Sequence, residues 1–339
     1  MPLRPFIQSA LAAENLTMAQ AREAMGHVMR GEATPAQIAA WLVAMRIKRE
    51  TVEELSGFAT AMREAMVTLP DAPDDAIDTC GTGGDGLGTF NISTAAALIA
   101  AACGVPVAKH GNRAVSSQSG SADVLSALGF EIDPGIERVS HALKQTGFAF
   151  MFAPRFHPAM MHAAVPRREI GVRTVFNMLG PLCNPAMVRR QIIGVFDRTR
   201  AREIAEVLAA LGAEHALVIS GPNGADELLP TGDNLIVEWD GKTISEKVLS
   251  AQDFGVRHCT VDDLLGGDAQ RSASIIKGIA EGAYGPKRET AVLNAAAALY
   301  VAGEVADIAE GIETAHTAIH DGRVLDLLQR AAGASRLAG

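Results

Sequence analysis

The sequence has few aromatic residues and few cysteines, no excess of positive charge and no long apolar run. Aromatic residues make up 4% of the 339 residues, so the hydrophobic 48% is mostly aliphatic and the core must pack through small and branched side chains. The four cysteines are scattered without a CxxC spacing, which argues against a disulfide framework or a structural zinc site. We therefore expect a cytoplasmic protein.

The charge balance and the hydropathy pattern argue against two further classes. The formal net charge is -9, whereas proteins that bind nucleic acid usually carry a basic face, so we expect no nucleic-acid partner. The most apolar stretch, residues 92–107, contains Gly104 and Pro106 and is too short to span a bilayer. The first residues also lack the apolar core of a signal peptide, and we expect no membrane association.

The first seventy residues have the pattern of a small helical domain. Three capping boxes follow one another: Thr17 with Gln20, Thr34 with Gln37, and Thr51 with Glu54. Pro35 lies at the first helical position after Thr34, where its missing N–H costs nothing. The segment PDAPDD, residues 70–75, is typical of a linker. We expect residues 1–70 to form this domain.

From residue 76 onward, apolar strands alternate with helical patterns. We expect strands near 76–80, 105–109, 148–153, 191–197 and 215–220, with helices near 93–103, 121–128 and 201–211. This alternation predicts an α/β domain with a mostly parallel sheet flanked by helices. Residues 164–187 are less regular and are expected to pack back onto the helical domain. The α/β domain would then comprise residues 76–163 and 188–339.

The segment DTCGTGGDGLGTFNIST, which starts at Asp78, carries five glycines within eight residues. Glycine lets backbone N–H groups turn inward around an anion, and the following helix start adds partial positive charge. A phosphate site or a merely mobile connection explains such a run equally well when it stands alone. The P-loop lysine is absent, and the match to GxGxxG is weak because Asp85 would bring a carboxylate to the pyrophosphate.

The second predicted strand ends in KHGNRAVSSQSGS, which supplies cations and neutral polar groups. Ligands of parallel sheets bind at the carboxyl ends of the strands, and the first two strands are expected to be neighbours. Lys109 and Arg113 therefore indicate a second anion-binding loop in the same crevice. A solvated surface charge is the alternative for Lys109, and a core histidine is an equally good explanation for His110.

Two further segments carry charge that suits a substrate complex. Asp226 and Glu227 follow the strand HALVISG, and adjacent carboxylates at a strand end can bind magnesium together with phosphate oxygens. Taken alone, an ordinary acidic turn is the commoner explanation of this pair. Arg167 and Arg168 lie near the expected return to the helical domain and could pair with a substrate carboxylate, or could be surface charges beside Glu169.

The motifs together resemble one known family, the anthranilate phosphoribosyltransferases. They occur in the family's order and approximate spacing over nearly the whole chain: GTGGD (81–85), NIST (91–94), KHGNR (109–113), GSADVLSALG (120–129), FNMLGPLCNP (176–185) and the pair Asp226–Glu227. Each motif is moderately specific, and the set is highly specific. The resemblance implies a pentosyltransferase of tryptophan biosynthesis. It also implies a homodimer formed through the helical domain, in the fold shared with pyrimidine nucleoside phosphorylases.

The resemblance also implies roles for individual residues. Phosphoribosyl pyrophosphate would be bound by the first two polar loops, namely Gly81, Gly84, Asp85, Thr89, Asn91, Ile92, Ser93, Thr94, Lys109, His110, Gly111, Asn112, Arg113, Ala114, Val115, Ser116, Ser117 and Ser121. Anthranilate would contact Gly81, Asn112 and Arg167 along a path lined by His110, His157 and Gly180. Two magnesium ions would be held by Ser93, Asp226 and Glu227, and the catalytic residues would be Lys109, Arg113 and Asp85.

Three positions depart from the family pattern, and two rival functions are open. Val165–Pro166 stands where Pro-Val is more frequent, which makes Arg168 the alternative to Arg167; Cys183 and Leu229 are milder departures. A pyrimidine nucleoside phosphorylase would show a Lys-His-Ser-Thr-Gly-Gly segment, which this chain lacks. A non-catalytic relative that binds nucleic acid would carry a basic groove and lack the acidic pair.

Overall fold

The computed structural model describes residues 1–114 and 118–336. Four helices come first: α1 (Arg4–Leu11), α2 (Met18–Met29), α3 (Pro35–Lys48) and α4 (Val52–Ala65). All three expected capping boxes are formed at the starts of α2, α3 and α4, with the threonine hydroxyl and the N3 side chain bonded reciprocally. The third box is also tied to the core, since Glu54 is buried and receives Lys48 Nζ at 2.7 Å.

The rest of the chain alternates between strands and helices around a single sheet. Its strands are β1 (Ile77–Gly81), β2 (Val107–Gly111), β3 (Phe148–Phe152), β4 (Arg190–Gly194), β5 (His215–Ser220), β6 (Asp233–Trp239) and β7 (Ile244–Ser250). The spatial order is β3-β2-β1-β4-β5-β6-β7. The first five strands are parallel, and β6 and β7 are antiparallel additions at one edge. The expected α/β fold with a mostly parallel sheet is confirmed.

Helices cover both faces of this sheet. They are α5 (Ile92–Ala102), α6 (Ser121–Ala127), α7 (Ile136–Thr146), α8 (Ala153–Phe156), α9 (Met161–Ile170), α10 (Phe176–Leu182), α11 (Ala201–Ala210), α12 (Ala269–Ala280), α13 (Pro286–Ala302), α14 (Ile308–His320) and α15 (Arg323–Arg336). On one face, α5 packs against α13, and both helices are almost entirely buried. On the other face, α11 shares a core with α2, α3 and α4. The apolar stretch of 92–107 is thus a buried helix followed by the start of β2.

The stretch that follows α8 is more regular than its sequence suggests. It forms α9 and α10, and each helix contains an internal proline, Pro166 and Pro181. Because proline removes a backbone donor and usually ends a helix, the pattern hides these elements. Helix α9 contacts α2 and α3, and α10 contacts α4. Among the described residues, no helix combines the length and the hydropathy that a membrane crossing requires.

Candidate functional site

Three polar loops meet at one edge of the sheet. The parallel pairing of β1 with β2 places the glycine-rich loop after Gly81 beside the loop after Gly111, as the sequence predicts. The acidic pair Asp226–Glu227 follows β5, which is separated from β1 by β4 alone. These loops can converge because the carboxyl ends of parallel strands lie on the same side.

Two glycines let the acidic pair approach the sheet closely. At Gly194, the last residue of β4, an added Cβ would lie 2.5 Å from the carbonyl carbon of Asp226 and closer still to its oxygen. At Gly81, an added Cβ would lie 3.0 Å from Cγ of Asp226. Any larger residue at these positions would push the acidic pair away from the glycine-rich loop.

The acidic pair is fixed by backbone donors from that loop. Asp226 Oδ2 accepts the Gly83 N–H at 2.7 Å, and Glu227 Oε1 accepts the Ser93 N–H at 3.1 Å at the start of α5. Burial raises the pKa of both carboxyls, and repulsion from Asp85 raises the pKa of Asp226 further. Asp226 and Glu227 thus lie close together, with Asp85 nearby, in a cleft that disfavours the charge of the pair.

Lys109 is the cation nearest to this acidic group. It is only 2% exposed, and its Nζ donates to the Thr79 carbonyl at 2.5 Å and to Ser93 Oγ at 3.4 Å. Beneath it lies Asp78, which is fully buried and accepts the His110 N–H at 3.3 Å. Burial raises the pKa of Asp78, while nearby Lys109 lowers it. Lys109 is therefore a buried, positioned ammonium group and not a solvated surface charge.

The remainder of the glycine-rich loop is anchored to the segment before α12 and to the segment before α6. Thr89 forms a β-bridge with Leu265, and Asn91 Nδ2 donates to the Ser119 carbonyl at 3.3 Å. Ile92 and Thr94 are fully buried, and the Thr94 hydroxyl has no hydrogen-bond partner among the described residues. Gly84 has a φ of +82°, which only glycine adopts without strain.

The loop after β2 is organised by an aspartate. Asp123 Oδ2 accepts the N–H groups of Ala114 and Gly120, both at 3.0 Å, and its Oδ1 accepts Arg113 Nη1 at 2.9 Å. Ser121 begins α6, and its Oγ donates to the Asn112 carbonyl at 3.4 Å. The expected ligand residues Val115, Ser116 and Ser117 lie outside the described residues.

A cavity of about 530 Å³ opens beside these loops, and we call it the cleft cavity. Its wall includes all six residues expected to contact anthranilate, namely Gly81, His110, Asn112, His157, Arg167 and Gly180. The Arg167 guanidinium lies 5.0 Å from the centre of the Phe176 ring, and burial lowers its pKa. Arg168 is exposed, so the geometry favours Arg167 for a buried carboxylate.

Two histidines in this cavity wall are held neutral. The rings of His110 and His157 lie 5.0 Å apart, and neither Nε2 has a hydrogen-bond partner among the described residues. Burial lowers the pKa of His110 to about 3 and that of His157 to about 4, while hydrogen bonds to the backbone of Gly180 and Cys183 act in the opposite direction. Since Nε2 is unpaired, Nδ1 makes those bonds, and each Nε2 presents a lone pair.

Sequence reasoning missed three residues that shape the site. Asp78 could have been noticed, because a carboxylate inside a buried strand is rare without a partner. Asp123 lies in a quoted motif, three residues after Gly120, at the spacing of a capping residue. Arg173 donates to the Gly84 carbonyl and stacks at 4.2 Å over the Phe196 ring, and no local pattern marks it.

The donor set suits a hard cation. Within the described ranges, no group of three or more His, Cys, Asp or Glu side chains is arranged to enclose a metal ion. Magnesium usually takes only one or two carboxylates and fills its other positions with water and phosphate oxygens. Asp226 and Glu227 meet that requirement, because they are two buried carboxylates that repel each other and form no ion pair with an arginine or lysine in the described part of the chain.

Comparisons with known proteins agree with this geometry. Residues 73–325 match the glycosyl transferase family, a/b domain, and residues 4–66 match the glycosyl transferase family, helical bundle domain. The anthranilate phosphoribosyltransferase of Thermoanaerobacter sp. (strain X514) is 48% identical over 326 residues, covering 96% of each chain. That of Rubrobacter xylanophilus is 47% identical over 339 residues, covering 99% of each chain.

Solved structures give the same result. The crystal structure of the Thermus thermophilus enzyme has a TM-score of 0.93 at 41% identity and covers 99% of this chain and 100% of that one. Anthranilate phosphoribosyltransferase from Saccharomyces cerevisiae, in complex with PRPP (phosphoribosyl pyrophosphate) and Mg, has a TM-score of 0.89 at 26% identity, with 98% and 97% covered. The same yeast enzyme is also known in complex with 4-fluoroanthranilate. The chain belongs to the anthranilate phosphoribosyltransferase family.

Proposed function

We propose that the chain transfers the phosphoribosyl group of 5-phosphoribosyl 1-pyrophosphate to the amine of anthranilate, which yields N-(5-phosphoribosyl)anthranilate and pyrophosphate. The observation that carries this proposal is the convergence of two polar loops, a buried lysine and an acidic pair beside a cavity whose wall contains Arg167. The yeast relative binds PRPP, Mg and an anthranilate analogue, which supports the same substrates here.

The diphosphate end of the donor would lie between the glycine-rich loop and the loop after β2. The glycine-rich loop after Gly81 and the start of α5 supply partial positive charge, while the Gly83 and Ser93 N–H groups hold the acidic pair beside that position. Lys109 and Arg113 add full positive charge, and Lys109 is already held in place by the Thr79 carbonyl. The proposed donor contacts comprise Gly81–Asp85, Thr89, Asn91–Thr94, Lys109–Ser117 and Ser121.

Asp226 and Glu227 would hold magnesium, with Ser93 as a further ligand. We propose two ions: one on Ser93 and Glu227, and a second on Asp226 and Glu227. Burial and repulsion from neighbouring carboxylates raise the pKa of both carboxyls, and a bound cation would offset both effects. Magnesium supplies charge neutralisation on the departing pyrophosphate, and this chain's residues position that pyrophosphate.

Anthranilate would occupy the cleft cavity with its carboxylate on Arg167 and Asn112. A partly buried guanidinium stacked on Phe176 favours a bidentate carboxylate, because pairing restores the solvation that burial removes. The unpaired Nε2 atoms of His110 and His157 accept hydrogen bonds and suit a neutral aromatic amine. Gly180 leaves the cavity open at their side.

The reaction then needs positioning and charge stabilisation more than proton transfer. The aromatic amine is neutral at pH 7, so its nitrogen attacks C1 of the ribosyl group while the bond from C1 to the pyrophosphate oxygen breaks. Once the new C–N bond has formed, the nitrogen carries a positive charge and releases one proton to the departing pyrophosphate or to water. Lys109, Arg113 and the loop amides stabilise the departing negative charge, and Asp85 lies beside the acidic pair.

Loss of anthranilate fluorescence on addition of the sugar diphosphate and magnesium tests the activity. The double variant Asp226→Ala/Glu227→Ala should lose magnesium-dependent turnover. The matched control is Asp74→Ala/Asp75→Ala, an adjacent acidic pair that is exposed on the linker. Turnover in the first variant at the level of the control would refute the metal assignment.

We also propose the remaining features that the resemblance implies. Exposed apolar side chains lie on the helical domain and on α9, which supports a homodimer through that surface: Leu11, Met161 and Val165. Light scattering after size exclusion measures the mass of the assembly and so tests the homodimer directly.

All four cysteines are free thiols, which supports a cytoplasmic location. The contacts of α9 and α10 with α2, α3 and α4 support a helical domain of residues 1–70 joined by 164–187, with an α/β domain of 76–163 and 188–339.

A further inference from the structure

A second cavity, of about 580 Å³, lies on the other side of the glycine-rich loop. We call it the arginine cavity, because its wall contains Arg46, Arg49, Arg173 and Arg200. It is formed by the end of α3, the segment before α10 and the segment after β4. It shares Thr82 and Asn177 with the cleft cavity, and none of its four arginines is among the expected substrate contacts.

The arginine cavity has an excess of positive charge. Its wall contains four arginines against two acidic residues, Glu50 and Asp197. Glu203 lies beside the wall and pairs with Arg49 and Arg200, so one positive charge remains in excess, and Arg46 and Arg173 have no carboxylate partner in the described part of the chain. Asp197 already caps a turn by accepting the Thr199 N–H at 3.0 Å. Guanidinium groups pair preferentially with carboxylate or phosphate, so the cavity favours a ligand that has an anionic group.

Glu50 adds the opposite requirement. Its side chain is 6% exposed, and its Oε2 accepts Arg200 Nη2 at 3.2 Å. Its Oε1 is buried and has no hydrogen-bond partner in the part of the chain that the structure describes. A buried carboxylate oxygen without a donor is costly, so a ligand with an ammonium group would stabilise this wall.

The rest of the wall is apolar. It consists of Ile47, Met178, Val195, Phe196 and Ile204. A ligand that satisfies all three features carries a carboxylate and an ammonium group close together and a sizeable apolar group beyond them. We propose that the arginine cavity binds a free α-amino acid with a large apolar side chain.

Binding there would reach the substrate loop through Arg173. The Arg173 guanidinium donates a hydrogen bond to the Gly84 carbonyl and stacks on the Phe196 ring. The Arg173 carbonyl accepts a hydrogen bond from the Arg46 side chain of α3. Thr82 accepts the Phe196 N–H at 3.4 Å, so the loop and the cavity wall share two links. An amino acid that draws Arg173 toward its carboxylate weakens the hold on Gly84 and raises the KM for the phosphoribosyl donor. This coupling rests on the proposed function, whereas the binding does not.

Isothermal titration of the full chain tests the binding. Saturating anthranilate fills the cleft cavity first, and L-tryptophan, L-phenylalanine and L-leucine are then titrated. At least one should bind with a dissociation constant of about 1 mM or tighter, on the order expected for a small ligand in a partly polar pocket. Phenethylamine, which lacks the carboxylate, and 3-phenylpropionate, which lacks the amine, should each bind at least about tenfold more weakly than the amino acid. No binding, or equal binding of either analogue, overturns the proposal.

Two variants locate the site. Glu50→Gln should weaken amino-acid binding about tenfold, because the ammonium group loses its carboxylate. It should not weaken 3-phenylpropionate binding, because the new amide oxygen can still accept Arg200 Nη2. Glu53→Gln, an exposed residue of α4, is the control with the same change of charge. If Glu50→Gln does not fold, Arg49→Gln decides, because its side chain is 55% exposed and its loss should weaken the carboxylate contact at least threefold. Unchanged binding in the folded variant overturns the assignment.

Steady-state kinetics test the coupling separately. The bound amino acid should raise the KM for the phosphoribosyl donor and leave kcat nearly unchanged, because only the loop position shifts. An unchanged KM at saturating amino acid would overturn the link through Arg173. Failure of the proposed function would look different, since turnover would then be absent without any amino acid.

Discussion

Replacement of Gly194 by alanine tests the central geometric claim about the acidic pair. The glycine ends β4, and the backbone of Asp226 passes directly over it. An alanine Cβ would lie 2.5 Å from the Asp226 carbonyl carbon, whereas real Cβ atoms essentially never approach other heavy atoms within 3.0 Å. The Asp226 oxygen is closer still and must move by more than about 1 Å.

That displacement should affect catalysis more than folding. The carboxylates would lose their register with the Gly83 and Ser93 N–H groups. A misplacement of this size in a catalytic centre costs about 100-fold in rate, so kcat/KM should fall by that order. The overpacked strand end should cost about 1–3 kcal/mol of unfolding free energy, which a protein of this size tolerates.

The assay is anthranilate fluorescence over a magnesium titration. The variant should need more magnesium for half-maximal activity as well as turning over more slowly. Gly333→Ala in α15 is the matched control. Apart from the neighbouring residues and the helix's own backbone, no heavy atom of the described chain lies within 4 Å of a Cβ added there. If Gly194→Ala keeps kcat/KM within threefold of the unmodified enzyme and needs the same magnesium concentration, the close approach of Asp226 to Gly194 does not position the acidic pair.

Three further predictions follow from single contacts. The buried His157 imidazole has a pKa of about 4 and stays neutral, while the unfolded chain takes up a proton near pH 6.5, so stability falls as the pH drops below 6.5. At pH 5 this contribution lowers the unfolding free energy by about 2 kcal/mol, and it should be absent in His157→Gln. Urea titrations at pH 8 and pH 5 measure the unfolding free energy of both proteins. An identical pH dependence of the two proteins would contradict the assignment. Asp123→Asn should raise the KM for the sugar diphosphate about tenfold without changing the magnesium requirement, since it frees the loop after β2; an unchanged KM would exclude that role. Glu54→Ala should lower the unfolding free energy by about 3–5 kcal/mol, because it leaves the buried Lys48 without its carboxylate. Gln20→Ala, in an exposed capping box, should lower it by less than about 1 kcal/mol. Equal losses in denaturant titrations would show that the buried ion pair adds no stability.

The sequence by itself determined the local elements and the order of the polar loops. The capping boxes at Thr17, Thr34 and Thr51 are read from residues three apart, and each forms as written. The alternation of apolar strands with helices gives the parallel sheet, because a helix must return the chain between parallel strands. Because parallel strands end on the same side of a sheet, this pattern predicts that the glycine-rich loop, the loop after β2 and the acidic pair lie close together.

Only the tertiary structure decided which side chains hold those loops in place. Asp226 bonds to Gly83 across 143 positions of the chain, and Arg173 reaches Gly84 across 89. The space that Gly194 leaves for Asp226 and the arginine cavity are likewise products of packing between distant segments. Local propensity and spacing act over a few residues, whereas burial, pairing and shifted pKa values depend on whatever the fold places next to each group.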